Sequence, residues 1–203
     1  NGKPIVTPTQ DIILGCYYLT KSRDGLKGQG LTFSDIDEAV LAYQDQQVDL
    51  HAKIRLRWEG QFYDTTAGRV LFNLVLPPEV RFVNELIDKS RLSNLITKVY
   101  RLCGHSRTVA LLDDLKTLGF EWATRAGMSI AITDLVIPPD KDKILSRAQK
   151  EVEQIESQYR RGLITEGERS NKIIDLWMRT TEEVSDHVME TFGAFNPLFM
   201  MAD

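Results

Sequence analysis

Residues 150–188 read "KEVEQIESQYRRGLITEGERSNKIIDLWMRTTEEVSDHV". Leading into it, Ile144, Ala148, Val152, Ile155 and Tyr159 recur at spacings of 4, 4, 3 and 4. After a break, Ile173, Trp177, Thr181, Val184 and Val188 repeat that spacing with one polar member. Such recurrence marks one side of an α-helix. Both stripes are narrow, as in a coiled-coil seam rather than a globular core helix. Between them Gly162 suits a left-handed helix end, and Thr165 with Glu168 forms the S/T-x-x-E box that starts a new helix. The chain therefore turns back within about five residues. Helices over about 142–161 and 166–190 are predicted to run antiparallel. Each is roughly 30–37 Å long at 1.5 Å per residue. One thin seam buries little, so the hairpin is expected to be rooted on the rest of the chain and to protrude with a wet outer surface. Its tip carries Arg160, Arg161, Glu166, Glu168 and Arg169. Those charges would steer a partner rather than hold a core. Periodicity alone leaves two readings, a solvated structural arm and a docking post.

Upstream of the hairpin the chain changes character twice. "TPTQDIILGCYYLT" has Thr9 placed as an N-cap, with Ile12, Ile13, Cys16, Tyr17 and Leu19 on one apolar face. A Gly-rich loop, "SRDGLKGQG", follows. In "SDIDEAVLAYQD", Ser34 and Asp37 are close to a capping box, and Ile36, Val40 and Tyr43 share one side of a short helix. "HAKIRLRW" alternates strictly, with Ala52, Ile54, Leu56 and Trp58 on one face and Lys53, Arg55 and Arg57 on the other. That is a half-buried strand, and "EGQFYDTT" supplies a turn and a second one. "AGRVLFNLVLPPEV" is an apolar run stopped by Pro77 and Pro78. Helix dominates after about residue 85. "SRLSNLITKVYRLCG" has Gly104 at a C-cap position, and the helix in "SRTVALLDDLKTLGFEWATRAG" is expected to break near Gly119. "MSIAITDLVIPPD" is a short extended piece ended by Pro138 and Pro139. The fold class is thus α+β, mainly α. A small mixed region with strands spans residues 1–140, helical in its last third, and a helical region with the hairpin spans 141–203.

The chain has 203 residues, 42% hydrophobic and 27% charged, with a net charge of −4. This is ordinary for a globular protein and excludes a polycation that coats nucleic acid. Any polyanion contact must be local, and one segment qualifies. Lys89, Arg91, Lys98, Arg101 and Arg107 follow one another with no acid between them. Arg91, Lys98 and Arg101 fall within about 80° around a helix, beside an apolar stripe of Leu92, Leu95, Val99 and Cys103. A basic face in an acidic chain either contacts an anion or keeps the helix solvated.

Catalytic signatures are missing. His51, His105 and His187 have no ligand spacing with Cys16 or Cys103, and both cysteines read as free buried thiols. No phosphate loop or dinucleotide fingerprint occurs. Asp113–Asp114 and Asp140/Asp142 are helix-surface or helix-start acids rather than a dense metal cluster. No apolar run is long enough for a membrane span. The chain opens at Asn1 and closes on "FMMAD", and it is read as a piece of a longer polypeptide.

Several segments together resemble the largest, β′, subunit family of bacterial RNA polymerases. They are "NGKPIVTPTQDIILGCYYLT", "LHAKIRLR", "DTTAGRVLFN", "LDDLKTLGFEWATRAGMSIAITDLVIP", "GLITEGERSNKIIDLW" and "FNPLFMMAD", in the family's order and over most of the chain. The resemblance implies an internal segment, the pore and funnel region that lines the secondary channel. That channel admits nucleoside triphosphates and releases backtracked RNA 3′ ends. The family's metal-binding "NADFDGD" would precede Asn1 and its "SGARG" would follow Asp203. No catalytic residue is therefore expected within the segment, which is inactive alone. The Mg2+ and Zn2+ of the enzyme would be held elsewhere.

The resemblance also assigns expectations to residues. Gln10 and Asp11 match the "P-[TS]-Q-D" stretch near the catalytic centre. Thr65, Thr66 and Arg69 in "TTAGR" match a family loop and are given a structural role. Lys89, Arg91, Lys98 and Arg101 become channel-lining cations. The hairpin becomes the rim helices that receive Gre-type cleavage factors and related regulators, through Arg160, Arg161, Glu166, Glu168 and Arg169. Asn171, Lys172 and Asp175 match positions that bind the alarmone ppGpp in some lineages, although Ser170 stands where many relatives carry an aromatic ring. The β, α and ω subunits would be partners, and the enzyme would be cytoplasmic and nucleoid-associated. Two other readings differ in class. One is a free-standing coiled-coil adaptor, and the other is a hydrolase using Asp113, Asp114, Asp140 or Asp142. An excised segment is also expected to expose apolar surface, with "AFNPLFMM" foremost.

Overall fold

A computed structural model describes residues 7–193 and 195–202. Residues 1–6 of the "NGKPIVTPTQD" stretch, Ala194 of "AFNPLFMM" and the final Asp203 lie outside the described residues. The chain forms two compact units, Asn1–Met128 and Ser129–Asp203.

The first unit is α+β. Its helices are α1 (Asp11–Thr20), α2 (Ile36–Gln44), α3 (Ala67–Leu74) and α4 (Lys89–Ala126). A three-stranded sheet has the order β1 (Thr32–Phe33), β2 (Lys53–Trp58), β3 (Gln61–Thr66). The β1–β2 pair is parallel and the β2–β3 pair antiparallel, with Ile54 opposite Thr65 and Leu56 opposite Tyr63. Alternation in β2 sets the register as the sequence predicts. Ile54 and Leu56 are buried, while Lys53, Arg55 and Arg57 face solvent. The sheet closes with α2 and α3 over Phe33, Ala39, Val48, Ile54, Leu56 and Val70. A second core, of Leu19, Phe72, Ile96, Val99, Leu111 and Leu115, lies where α1 and α3 meet α4.

Local details depart from the sequence reading at three places. Thr9 does not cap α1. The cap position is Gln10, at φ 51°, and its side chain makes no capping bond. Asp35, not Ser34, caps α2 by accepting from the Glu38 N–H, and Glu38 accepts in return from Ser34 N–H and Oγ. The cap thus falls one residue later than the sequence suggests, and Glu38 reaches back past the cap to Ser34. Gly104 does interrupt α4, at φ 77° and ψ −178°. Gly119 does not. There α4 crosses α1, and a Cβ on Gly15 would stand 1.9 Å from the Gly119 carbonyl oxygen. A Cβ on Gly119 would stand 2.7 Å from Ile12 Cα. A helical glycine costs about 1 kcal/mol relative to alanine, and the backbone contact it permits offsets that cost.

The second unit holds α5 (Lys141–Arg160), α6 (Glu166–Thr191) and the short α7 (Pro197–Ala202). Residues 129–137 form an irregular strap with one 3₁₀ turn, Ile132–Asp134. Asn196 Nδ2 donates to the Asp134 carbonyl at 2.9 Å and ties this strap to the start of α7. Apolar exposure concentrates on the strap rather than on "AFNPLFMM". Ile132 is 89% and Ile137 72% exposed, whereas Met200 is buried, Phe195, Leu198 and Phe199 are half-buried, and only Met201 of the described apolar residues there is exposed, at 44%.

The hairpin forms with the predicted ends, but its seam on α6 is shifted. Ile144 and Ala148 of α5 are buried, together with Leu176 and Thr180 of α6. Trp177 and Thr181, chosen from the periodicity, are exposed. Both registers satisfy a helical repeat, and packing selects the one led by Leu176. Thr180 tolerates burial because its hydroxyl donates to the Leu176 carbonyl at 2.8 Å.

Candidate functional site

The hairpin tip is built from backbone chemistry first. Gly162 takes φ 72°, which a residue with a Cβ resists, and the chain reverses there. Thr165 Oγ1 accepts from the Glu168 N–H at 3.3 Å, and Glu168 Oε2 accepts from the Thr165 N–H at 2.8 Å. The Thr165 N–H first, and then the Thr165 hydroxyl donating to Glu168 Oε2 at 3.0 Å, hold the Glu168 carboxyl below its usual range. Arg169 then clamps the two helices. Its guanidinium donates to Glu156 of α5 at 2.8 Å and to Glu166 at 2.5 Å, and lies 5.0 Å from the centre of the Tyr159 ring. The bond from Arg169 also lowers the Glu166 carboxyl. Further down, Arg147 pairs with Glu183 across the seam.

The five charged tip residues divide in two. Glu166, Glu168 and Arg169 are engaged within the hairpin, so they shape it. Arg160 and Arg161 are exposed, and among the described residues neither takes part in a salt bridge. Asn171, Lys172 and Asp175 are exposed along the first turns of α6.

The basic helix divides similarly. Arg91 lies 3.6 Å from Glu85 and 3.7 Å from Asp88, and donates to the Leu86 carbonyl at 2.8 Å. Its charge is matched locally. Lys89, Lys98 and Arg101 are exposed, while Leu92, Leu95 and Val99 are buried beneath them. Arg107 lies beyond the Gly104 kink.

Gln10 and Asp11 stand at the entry to α1. Asp11 is an exposed first-turn acid, and Gln10 holds a left-handed backbone conformation. Such strain costs of order 1–3 kcal/mol in a non-glycine residue. The "TTAGR" residues are structural in their contacts. Thr66 caps α3 through the Arg69 N–H, and Arg69 donates to the Thr20 carbonyl at 2.9 Å and to Asn84. Asp113 and Asp140 are engaged by Lys116 and Lys143. Among the described residues no group of three or more His, Cys, Asp or Glu is placed to hold a metal ion. Cys16 and Cys103 are free thiols. Burial pushes Cys16 up to about 12, so it stays protonated, while Cys103 is only half-buried. No helix among the described residues is long and apolar enough to cross a membrane.

One concavity escaped the sequence reading. An open cleft of about 520 Å³ is lined by Tyr18, Tyr43, Asp49, Trp122 and Arg125, among others. Arg125 lies 4.9 Å from the centre of the Trp122 ring and pairs with Glu121 at 2.7 Å. These residues come from α1, α2, α4 and the loop before β2, and no local signal unites them.

The family model described as RNA polymerase Rpb1, domain 3 matches residues 1–135. Similarity to curated proteins extends over the whole chain. It is 48% identical to the DNA-directed RNA polymerase subunit beta' of Pelotomaculum thermopropionicum, 47% to that of Desulforamulus reducens and 45% to that of Desulforudis audaxviator. Each alignment takes in 100% of this chain, which spans 17% to 18% of those subunits' length.

Proposed function

The chain belongs to the RNA polymerase Rpb1, domain 3 family, and from that premise we propose that it is a non-catalytic segment of a bacterial β′ subunit that lines the secondary channel and docks regulators entering it. The observation that carries this reading is the similarity to β′ subunits across all 203 residues, hairpin included. In this reading the β, α and ω subunits complete a cytoplasmic, nucleoid-associated enzyme. Its Mg2+ and Zn2+ are bound outside this segment. Similarity that covers the whole chain disfavours a free-standing adaptor, and the lysine partners of Asp113 and Asp140 disfavour a hidden hydrolase.

Two surfaces divide the work. Lys98 and Arg101 are exposed on one side of α4 above buried Leu92, Leu95 and Val99, with Lys89 exposed at the start of the helix, and such cations would concentrate triphosphates and an RNA 3′ end along a channel wall. Arg160 and Arg161 carry exposed charge at the hairpin tip, where a Gre-type cleavage factor meets it. Glu166, Glu168 and Arg169 set the shape that the factor meets. Asn171, Lys172 and Asp175 offer an amide, a cation and a carboxylate on one exposed stretch, a set that an alarmone bridging hairpin and regulator would use.

The test uses assembled polymerase and a purified Gre-type factor. Reversing Arg160 and Arg161 to glutamate should weaken the factor's binding, and high salt should weaken it further. Binding that ignores both changes refutes the tip as the dock. Replacing Lys98 and Arg101 with alanine should raise the apparent KM for nucleotides, and an unchanged KM removes the wall assignment.

A further inference from the structure

The strap of residues 129–137 has the composition of a core and the exposure of a loop. Ile130, Ile132, Leu135, Val136 and Ile137 all stand in solvent, five large apolar side chains among eight consecutive residues. A run of this kind is selected against on a surface that stays wet, and where it persists it marks a contact. The chain is 27% charged, yet these nine positions hold one charged residue, Asp134.

That one charge is used inside the strap. Asp134 Oδ2 accepts from the Ala131 N–H at 2.8 Å. The Asp134 carbonyl accepts from the Val136 N–H at 3.2 Å and from Asn196 Nδ2 at 2.9 Å. Asn196 Oδ1 in turn accepts from the Leu198 N–H at the start of α7. These bonds set the course of the backbone without help from the exposed aliphatic side chains. A surface already held in shape loses less conformational freedom when something packs on it.

Composition separates the strap from the hairpin tip and the basic stretch of α4. Surfaces that partners find and leave carry steering charge, as Arg160, Arg161, Lys98 and Arg101 do. The centres of permanent interfaces are apolar and depleted in charge, as the strap is. The source of the cover follows from length. This chain spans 17% to 18% of the β′ subunits it resembles, so most of such a polypeptide lies outside these residues. A segment of it is tethered covalently to the strap, which raises its effective concentration there.

We propose that the strap is a permanent packing surface for an apolar segment of the rest of the same β′ subunit, with Asp134 as the positioning residue that holds it in shape. The proposal rests on reading the chain as part of a β′ subunit, and it is independent of the channel-wall and dock assignments.

The test uses assembled polymerase with no regulator present. Ile132→Cys should react with a maleimide roughly tenfold more slowly in the folded enzyme than after unfolding in urea, read by the mass of the strap peptide. A benzophenone amino acid placed at position 132 should cross-link on illumination to β′ residues outside this segment. Asp134→Ala should speed labelling of the Ile132→Cys thiol in the folded enzyme. Asp134→Asn keeps an acceptor for the Ala131 N–H and should restore the protection. Equal labelling in folded and unfolded enzyme overturns the proposal, as do cross-links confined to β, α or ω. Protection that ignores Asp134→Ala removes the positioning role. If the thiol labels freely in a polymerase that assembles, the strap claim falls and the β′ reading stands. If the subunit enters no complex with β, α and ω, both fall.

Discussion

The α1–α4 crossing and the α5–α6 hairpin are both pairs of packed helices, and they are held by different means. At the crossing, Gly15 and Gly119 bring two backbones together within a core that includes Leu19, Ile96, Leu111 and Leu115. In the hairpin one row of side chains meets another, and the order comes from the ends: a capping box, a left-handed glycine and the Arg169 clamp. The crossing has no room to give and little surface to offer. The hairpin gives up burial and keeps three faces in water, which suits a part that other molecules must reach.

The sharpest way to break this contrast is at the crossing. Gly119→Ala places a methyl group against the α1 backbone, and neither helix has slack to absorb it. Destabilisation of about 3 kcal/mol or more is expected from overpacking of this kind. Urea unfolding followed by circular dichroism measures it, and a loss below about 1 kcal/mol would show that the crossing relaxes. Leu176→Ala removes the best-buried apolar side chain of α6. The thin seam should limit its cost to about 2 kcal/mol, the lower end for such a truncation. A larger loss would mean the hairpin is packed like a core. Thr165→Ala deletes the cap of α6 for about 1 kcal/mol, and hydrogen exchange of the first α6 turn should rise while that of α4 stays unchanged.

Acidity probes the first unit by itself. His51 is 8% exposed, bonds through Nδ1 to the Lys21 carbonyl and packs edge-on to Tyr18 at 4.6 Å. Burial lowers its pKa first, and nearby Lys21 and Arg23 lower it further against the opposing effect of the Lys21 carbonyl. The unfolded chain therefore takes up the proton at higher pH than the folded one. The stability this group supplies is complete above about pH 6.5 and is lost as pH falls through the lowered folded value. Urea midpoints between pH 7.5 and 5.5 should drop in the native chain and flatten in His51→Gln, and equal slopes would remove the assignment. The smallest change is expected from Met178→Glu, which should stay within about 0.5 kcal/mol because the side chain already stands in solvent. A larger loss would mean that this face of α6 is packed within the chain.

How far each region can be read from sequence follows from the range of the interactions that build it. Thr165, Glu168 and Gly162 act on neighbours within four positions, so the hairpin's turn and ends were predictable. The alternation of Lys53 to Trp58 is equally local, and so was the strand. Gly119 misleads for the same reason. Seen alone it is a helix breaker, and only Ile12 and Gly15, more than 100 positions away, explain it. Arg169 looks like free charge until Glu156 is brought opposite it. Trp177 looks like seam until Leu176 turns out to be the residue that α5 meets. The cleft between Tyr18, Tyr43 and Trp122 left no local trace.

Composition, caps and periodicity by themselves determined the class of fold, the position of the hairpin and the basic stretch of α4, and the quoted motifs in their order carried the resemblance to β′ subunits. Each of these depends on contacts within a turn or two, or on residue order alone. The tertiary structure alone decided which face of α6 is spent on α5 and which remains open, and which charges at the tip are already matched. A heptad row records that a helix can be packed on that side. Whether another helix is there depends on the burial free energy gained when distant segments meet, and that gain has no local signature.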